Sequence, residues 1–442
     1  MGRRKSHAPL KVLINNRLAG ELAKEAGGAI TFRYDDSWLI WPQRFPVSLS
    51  LPPRPEPFRG AVVEAVFDNI LPDNPDVRRI VAEKTGAGGT DTFSLLEQIG
   101  RDCVGAMQFV PEGVTIDALA PVSGRRVSDD AIEATLANLA RAPLGIDPVQ
   151  GFRISIAGAQ EKTALLRRKG KWLHPLGATP TTHILKPQIG TIPTPFGMID
   201  LSDSVENEHF CLTLLGCFGL KVAKTEMTTF GARRVLVVER FDRMWRGTDR
   251  ILRLPQEDCC QALSVPSTRK YQNQQGPGIV DILKLLQGSD DPARDQSAFI
   301  KCQMIFWLIG ATDGHAKNFS IFLRPGGRFE LTPFYDVLSV QPAFDAKRIP
   351  RNKYKMAMCV GEGREYSIPR IHGLHFAETA RQAGMGREPF QNAVNEILTD
   401  ADFALKQARD RMPPGFPKAL CVSIEKGMRD RLPLLKTALG AT

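Results

Sequence analysis

The sequence predicts an α+β chain of two lobes, a strand-rich first part and a helical second part. Two patterns carry this. Short alternating runs dominate to about residue 240, and those from 152 to 238 are interrupted by one helical stretch at 206–218. From about 245 onward, runs at helical period take over. Length agrees: 442 residues exceed one compact core, so two or three domains or lobes are expected.

Residues 1–110 form the first unit, which is β-rich. Leu10–Ile14 alternates, a turn follows at Asn15-Asn16-Arg17, and Ile30–Tyr34 alternates again. Pro52 to Pro57 is a stiff connector with four prolines. A helix near 74–84 takes Asn74 as its cap and Pro75 at its first position. A second cap stands at Thr90-Asp91-Thr92. The preceding Gly86-Ala87-Gly88-Gly89 follows no strand and carries no phosphate site.

Residues 111–243 open with a linker and a helix capped at Ser128. Strands are expected at Phe152–Ile156, Thr163–Leu166, Thr182–Leu185 and Val235–Val238, with the 206–218 helix among them. Residues 244–442 are expected to be all helical, with runs at 281–287, 296–310, 376–383, 389–398 and 423–432.

Composition narrows the class. No apolar run approaches the roughly 20 residues that span a bilayer. The basic start, Met1-Gly-Arg-Arg-Lys, lacks a following apolar core of signal type. A cytoplasmic protein with no membrane partner is expected. Eight cysteines form no CxxC pair, so they read as reduced thiols among apolar neighbours. His372 and His375 stand three apart with no Cys or carboxylate at ligand spacing. The net charge of +10 favours a polyanionic partner, DNA or RNA. Residues 347–355 hold five basic side chains and no acid; from charge alone a solvated hairpin edge is the stronger reading, and nucleic-acid contact the alternative.

The chemistry lies in the second part. An apolar helix ends at Gly310, and the loop Ala311-Thr-Asp313-Gly-His315-Ala-Lys317-Asn318 leads into the strand-like 319–323. A Gly-Gly turn returns the chain through Tyr335 to Asp336. Asp313 has the spacing of a carboxylate that takes the proton of an attacking hydroxyl. Asn318 and Asp336, expected on neighbouring strand ends, are an amide oxygen and a carboxylate suited to magnesium held against phosphates. The pattern is that of a phosphotransferase. Ala311-Thr312 replaces the His-Arg of ordinary protein kinases, and Val337-Leu338 replaces their Phe-Gly. The order D-x-H-x-x-N is nearer to lipid kinases, so a lipid or small-molecule acceptor stays open.

A phosphate-holding lysine belongs in the strand-rich lobe. Lys186 ends the 182–185 run, with Glu208 or Glu206 on the next helix as its orienter. Lys162, in Gly158-Ala159-Gln160-Glu161-Lys162, competes with it; that segment is not a P-loop but can turn N–H groups toward phosphates. Val237 to Arg243 reads either as the hinge between lobes, offering backbone groups of Glu239 and Phe241 to an adenine, or as a charged linker.

These motifs together resemble the HipA family. The resemblance is carried by 153–166, Thr182-His-Ile-Leu-Lys186, Val205-Glu-Asn-Glu208, Val238-Glu-Arg-Phe-Asp-Arg243, Arg253-Leu-Pro-Gln-Glu-Asp258, Gly276-Pro-Gly-Ile279, 311–320 and Leu331-Thr-Pro-Phe-Tyr-Asp336. It runs in order from about residue 10 to the C-terminal helices. It implies a bilobal protein-kinase-like fold, with an extra β-rich subdomain before the first lobe, and a serine/threonine protein kinase using ATP and Mg2+. Asp313 would be the catalytic base, and Asn318 and Asp336 the metal ligands. Ala157, Gly158, Ala159, Gln160, Glu161 and Lys162 would form the phosphate loop. Lys186, Glu239, Phe241, His315, Lys317 and Tyr335 would complete the ATP site. Ser155 falls on the family's autophosphorylated serine. The implied partners are a HipB-like helix-turn-helix antitoxin, operator DNA bound with it, and glutamyl-tRNA synthetase as substrate. A kinase-like fold kept as a DNA-binding co-repressor is a further alternative.

Overall fold

The computed structural model describes residues 7–114, 120–146, 154–158, 160–194 and 197–440. The expected strand residues Phe152 and Arg153, and Ala159 of the expected phosphate loop, lie outside the described residues. The chain divides into two compact units. One comprises residues up to 187, 228–268 and 321–329; the other comprises 188–227, 269–320 and 330–442.

The first unit opens with an antiparallel sheet of β1 (Leu10–Ile14), β2 (Arg17–Lys24), β3 (Ile30–Tyr34), β4 (Phe58–Arg59) and β5 (Met107–Val110). Its order is β4-β3-β2-β1-β5. The β1–β2 turn sits on Asn15 and Asn16, both at positive φ, which asparagine tolerates better than most side chains. Inward residues of the strands build the core: Leu10, Val12, Leu22 and Phe32 are fully buried. The Ala61–Asp68, Pro75–Thr85 and Thr92–Ile99 helices follow. Asn74 and Asp91 cap the last two as their positions predict, each side chain accepting a backbone N–H of the first turn.

A second sheet contains β6 (Gly124–Arg126), β7 (Thr163–Arg168), β8 (Lys171–Pro175) and β9 (His183–Pro187). After a hairpin of β10 (Gly190–Thr194) and β11 (Gly197–Leu201), β12 (Thr225–Phe230) and β13 (Arg233–Glu239) complete it. The order is β12-β13-β9-β7-β8-β6. The Asp129–Ala137 helix, capped by Ser128, lays Ile132 and Leu136 on Leu165, Leu185, Val235 and Val237. Of the expected strand 152–156, Ile154 makes only an isolated bridge to Asp102.

The second unit is helical, built on Ser204–Cys217, Ile279–Leu286, Pro292–Ile309, Gly373–Gln382, Arg387–Asp410 and Lys418–Leu435. Pro292–Ile309 is the central one: Phe299, Ile300 and every residue from Cys302 to Ile309 are buried. It begins four residues before the apolar pattern does, because Asp291 caps it and Pro292 takes its first position.

Beyond residue 243 the chain is not all helical, contrary to what the sequence predicts. β14 (Arg243–Arg246) pairs with β15 (Arg250–Arg253), and β16 (Gln256–Asp258) joins β17 (Ser320–Arg324) and β18 (Arg328–Leu331). The strand-like 319–323 of the sequence is β17; the others are three or four residues long, too short for an alternating pattern to stand out.

Candidate active site

The Pro292–Ile309 helix ends at Gly310 in the left-handed conformation. Two pairings then close the following loop. Gly310 accepts from the N–H of Val340, and Ala311 bridges Ser339. Asn207, on the Ser204–Cys217 helix, exchanges two hydrogen bonds with the backbone of Ser339 at 2.8 Å each. The segment just after Asp336 is thus fixed beside the start of the Asp313 loop.

Within the loop the backbone is wound tightly. The N–H of His315 donates to Asp313 O at 2.8 Å, and that of Asn318 to His315 O at 2.9 Å. The Asn318 side-chain amide also donates to Asp313 O at 2.8 Å. Spending the NH2 this way leaves Asn318 Oδ1 as the atom to offer a cation. The Asp313 carboxylate itself is exposed, and its Oδ1 accepts from the Tyr271 hydroxyl at 2.7 Å. Asp336 holds φ at 58°, uncommon for a residue with a side chain and concentrated at functional sites. Tyr335 ties the neighbouring turn together, its hydroxyl bonding Lys317 O at 3.0 Å and Ser320 Oγ at 2.7 Å.

His315 is buried. Burial holds its imidazole below the usual histidine range, and Lys270 pushes the same way, against the opposing pull of Asp313 and Asp336. Among the described residues no group of three or more His, Cys, Asp or Glu side chains forms a metal cage. Magnesium does not need one: it commonly takes one or two protein oxygens plus phosphates and water. Asn318 Oδ1 and the Asp336 carboxylate are hard oxygen donors of that kind.

The other sequence-predicted residues belong to the first unit. Lys186 is buried within β9, opposite Leu236 of β13, rather than at a strand end. Lys162 is buried and donates to Ala157 O at 2.7 Å. Gly158 sits at φ 107°, and a Cβ there would lie 2.5 Å from Lys162 Nζ. Gln160 reaches Pro187 O at 3.5 Å, and Glu161 is exposed. Ser155 is fully buried: its Oγ donates to Ile70 O at 2.9 Å and its N–H to Asp102 O at 3.1 Å.

Glu239 ends β13 and is exposed, and Phe241 packs edge-on against Phe322 at 5.8 Å. Between and after them, Arg240, Asp242 and Arg243 turn inward. Sequence reasoning missed where they go. Asp102, Arg240, Asp242, Arg243 and Arg253 form one buried ionic network. Asp102 accepts from Arg243 at 3.0 Å and from the N–H and hydroxyl of Thr181 at 2.9 and 2.6 Å. Arg240 and Arg243 both donate to Cys103 O, and Asp242 takes the N–H of Gly105. Register explains part of it: Arg243 and Arg253 stand directly opposite in the β14–β15 pair. The five basic residues of 347–355 are all exposed: Lys347 and Arg348 in a connection, Arg351 and Lys353 in a short turn of helix, and Lys355 at the first residue of a strand.

Comparison with known proteins decides the family. The HipA N-terminal domain matches residues 10–110, and the HipA-like C-terminal domain matches residues 154–405. The chain belongs to the HipA family. Y4mE of Sinorhizobium fredii, named as a candidate kinase, is 33% identical over 88% of this chain and 89% of its own length. The serine/threonine-protein kinase toxin HipA of Shewanella oneidensis is 26% identical over 92% of this chain and 90% of its own. Among solved structures, a chain of the Shewanella oneidensis MR-1 complex of HipA, HipB and operator DNA matches with a TM-score of 0.80. It shares 22% identity and covers 98% of this chain and all of its own length. The fold is kinase-like, as the sequence predicts. Among the described residues no helix is long and apolar enough to cross a membrane.

Proposed function

We propose that this HipA-family chain is an ATP-dependent serine/threonine protein kinase acting as the toxin of a toxin–antitoxin pair. One observation carries the reading. The Asn318 amide is spent on the Asp313 backbone, which frees the Asp313 carboxylate for a proton and Asn318 Oδ1 for a cation. Asp313 accepts the proton of the acceptor hydroxyl as it attacks the γ-phosphate. Asn318 and Asp336 hold magnesium, which neutralises charge on the phosphates. Lys186 and the loop Ala157 to Lys162 hold phosphate oxygens. Glu239 and Phe241 offer backbone groups to the adenine, and His315, Lys317 and Tyr335 are further ATP-binding residues.

Ser155 is the self-modification site in this reading. Its buried hydroxyl has to leave Ile70 before it can react. A phosphate on Ser155 could not return to that donor position, so the loop would stay displaced. The acceptor in the cell is glutamyl-tRNA synthetase, and modification halts translation. A HipB-like antitoxin binds the chain, and the pair represses its operon, with the exposed 347–355 cations available to DNA phosphates.

The test is to induce the wild type and Asp313→Ala in cells and map new phosphosites by mass spectrometry. Phosphate on Ser155 and on the synthetase is expected with the wild type alone. Equal phosphorylation by Asp313→Ala overturns Asp313 as the base. Turnover of a lipid or small molecule without protein labelling overturns the protein-kinase reading.

A further inference from the structure

The stretch Arg269–Ile279 precedes the Asp313 loop by some forty residues and has no part in the roles above. Its backbone is closed on itself. Tyr271 O accepts from the N–H of both Gln274 and Gly276 at 2.9 Å. Gly276 is required for this closure: a Cβ there would lie 2.1 Å from Arg269 O and 2.8 Å from Tyr271 O. The next residue, Gln272, is pinned through its Oε1, which takes the N–H of Cys359 at 2.7 Å. On the other side, Ala316 of the Asp313 loop donates to Lys270 O at 3.4 Å. Tyr271 is therefore held at its own carbonyl and at both neighbouring residues.

The side chain is fixed at both ends as well. Its ring stands edge-on to the buried His315 ring, with centroids 4.9 Å apart and planes at 85°. Its hydroxyl donates to Asp313 Oδ1 at 2.7 Å. A carboxylate on an exposed loop is free to rotate, and each oxygen has two lone-pair directions. A phenol held this rigidly removes that freedom, so the plane of the carboxylate is set before any substrate arrives.

We propose that Tyr271 is a positioning residue for phosphoryl transfer, clamping Asp313 Oδ1 so that Oδ2 faces the hydroxyl to be phosphorylated. This rests on Asp313 being the base of a kinase. Ordinary protein kinases have an arginine directly before the catalytic aspartate, where this chain has Thr312. Tyr271 moves no proton itself.

The test uses the full chain with labelled ATP and Mg2+, and the Asp313→Ala chain, which carries Ser155, as acceptor. Tyr271→Phe keeps the ring on His315 and removes only the donor. Transfer under saturating ATP is expected to fall about 10- to 100-fold, from misorientation of the base. The KM for ATP should stay within about twofold of wild type, since Tyr271 is assigned no contact with nucleotide. Tyr271→Ala should lose at least as much rate and, unlike Phe, also lower the unfolding temperature. Wild-type rate in Tyr271→Phe overturns the proposal and leaves the kinase reading intact. A faster Tyr271→Phe also overturns it, identifying the phenol as an obstruction that substrate displaces. A rise in ATP KM matched by an unchanged maximal rate overturns it in favour of a nucleotide-binding role. If the wild type transfers no phosphate to any protein acceptor, the kinase reading falls, and this proposal falls with it.

Discussion

Asp313 and Asp102 are both loop aspartates, and their surroundings treat them in opposite ways. Asp313 is held by its backbone: its carbonyl takes the N–H of His315 and the amide of Asn318, while the carboxylate stays exposed. Asp102 is held by its side chain, with three arginines and Thr181 on a carboxylate that water does not reach. The proposed base must keep lone pairs available: the fold grips the chain around Asp313, and Tyr271 sets one carboxylate oxygen. A charge meant for structure must have its lone pairs filled, because an unfilled one in the interior costs about 1–3 kcal/mol or more. The difference marks Asp102 as a fastener joining residues 102–105, 181, 240–243 and 253 of one unit.

The largest effect that could break this contrast is on activity. Asp313→Ala is expected to lower phosphoryl transfer by about 10²- to 10⁴-fold, the usual range for a general base. Because the side chain is exposed, its unfolding free energy should change by no more than about 0.5 kcal/mol. Chemical denaturation beside single-turnover transfer checks both halves; a strongly destabilised Asp313→Ala would make the two aspartates alike. Asp102→Ala is the mirror experiment. Removing one partner from a buried ionic network commonly costs about 3–5 kcal/mol, and here three arginines lose a shared acceptor. An unchanged denaturation midpoint would sink the fastener reading.

The contrast also explains what was legible in the sequence. Asp313, His315 and Asn318 lie within six residues after an apolar helix, so spacing alone exposes them. Asp336 follows through one hairpin. The network around Asp102 has no local trace: Thr181 is 79 residues away and Arg243 is 141. Charged residues are seldom fully buried, so Glu239 to Arg243 reads as a hinge or a solvated linker. The alternation that sends Arg240, Asp242 and Arg243 inward comes from tertiary partners, not from hydrophobic period. Tyr271 was hidden for the same reason, since its value lies in reaching Asp313 across 42 residues. Helix caps, by contrast, were legible at Asn74 and Ser128 because their chemistry is complete within three residues.

A second buried carboxylate sharpens the comparison through pH. Glu257 in β16 is fully buried; its Oε1 accepts the N–H of Leu49 at 2.8 Å, and the charge acting on it is that of Asp258. Burial pushes its carboxyl up to about 8. Between its unfolded value of about 4.3 and about 8, the folded state keeps a proton that the unfolded state has lost. Stability from this group is thus highest in acid and falls as pH rises, by up to about 1.4 kcal/mol per pH unit. Burial pushes Asp102 the same way, but Arg243, Arg240 and Arg253 override it and hold its carboxyl below the usual range. Its contribution is present above an unfolded value of about 3.9 and is lost only as pH falls below that. Glu257→Gln should flatten the fall in stability between pH 5 and 8, with little change near pH 4. A slope that persists in Glu257→Gln would assign it to other groups.

The smallest expected effect concerns the loop that follows Ser155. Gly158 bridges Pro72 and has φ at 107°, a conformation that strains any residue with a Cβ by about 1–3 kcal/mol. Gly158→Ala would also set its methyl 2.5 Å from Lys162 Nζ, displacing the bond from that lysine to Ala157 O. The ammonium ends a flexible side chain and can move aside, so backbone strain sets the lower bound of the cost. A modest loss of stability with a larger loss of nucleotide affinity would mean that this loop, like Asp313, is built by backbone conformation for a ligand. Equal, small losses in both would put it with Asp102, as a structural contact that the nucleotide does not use.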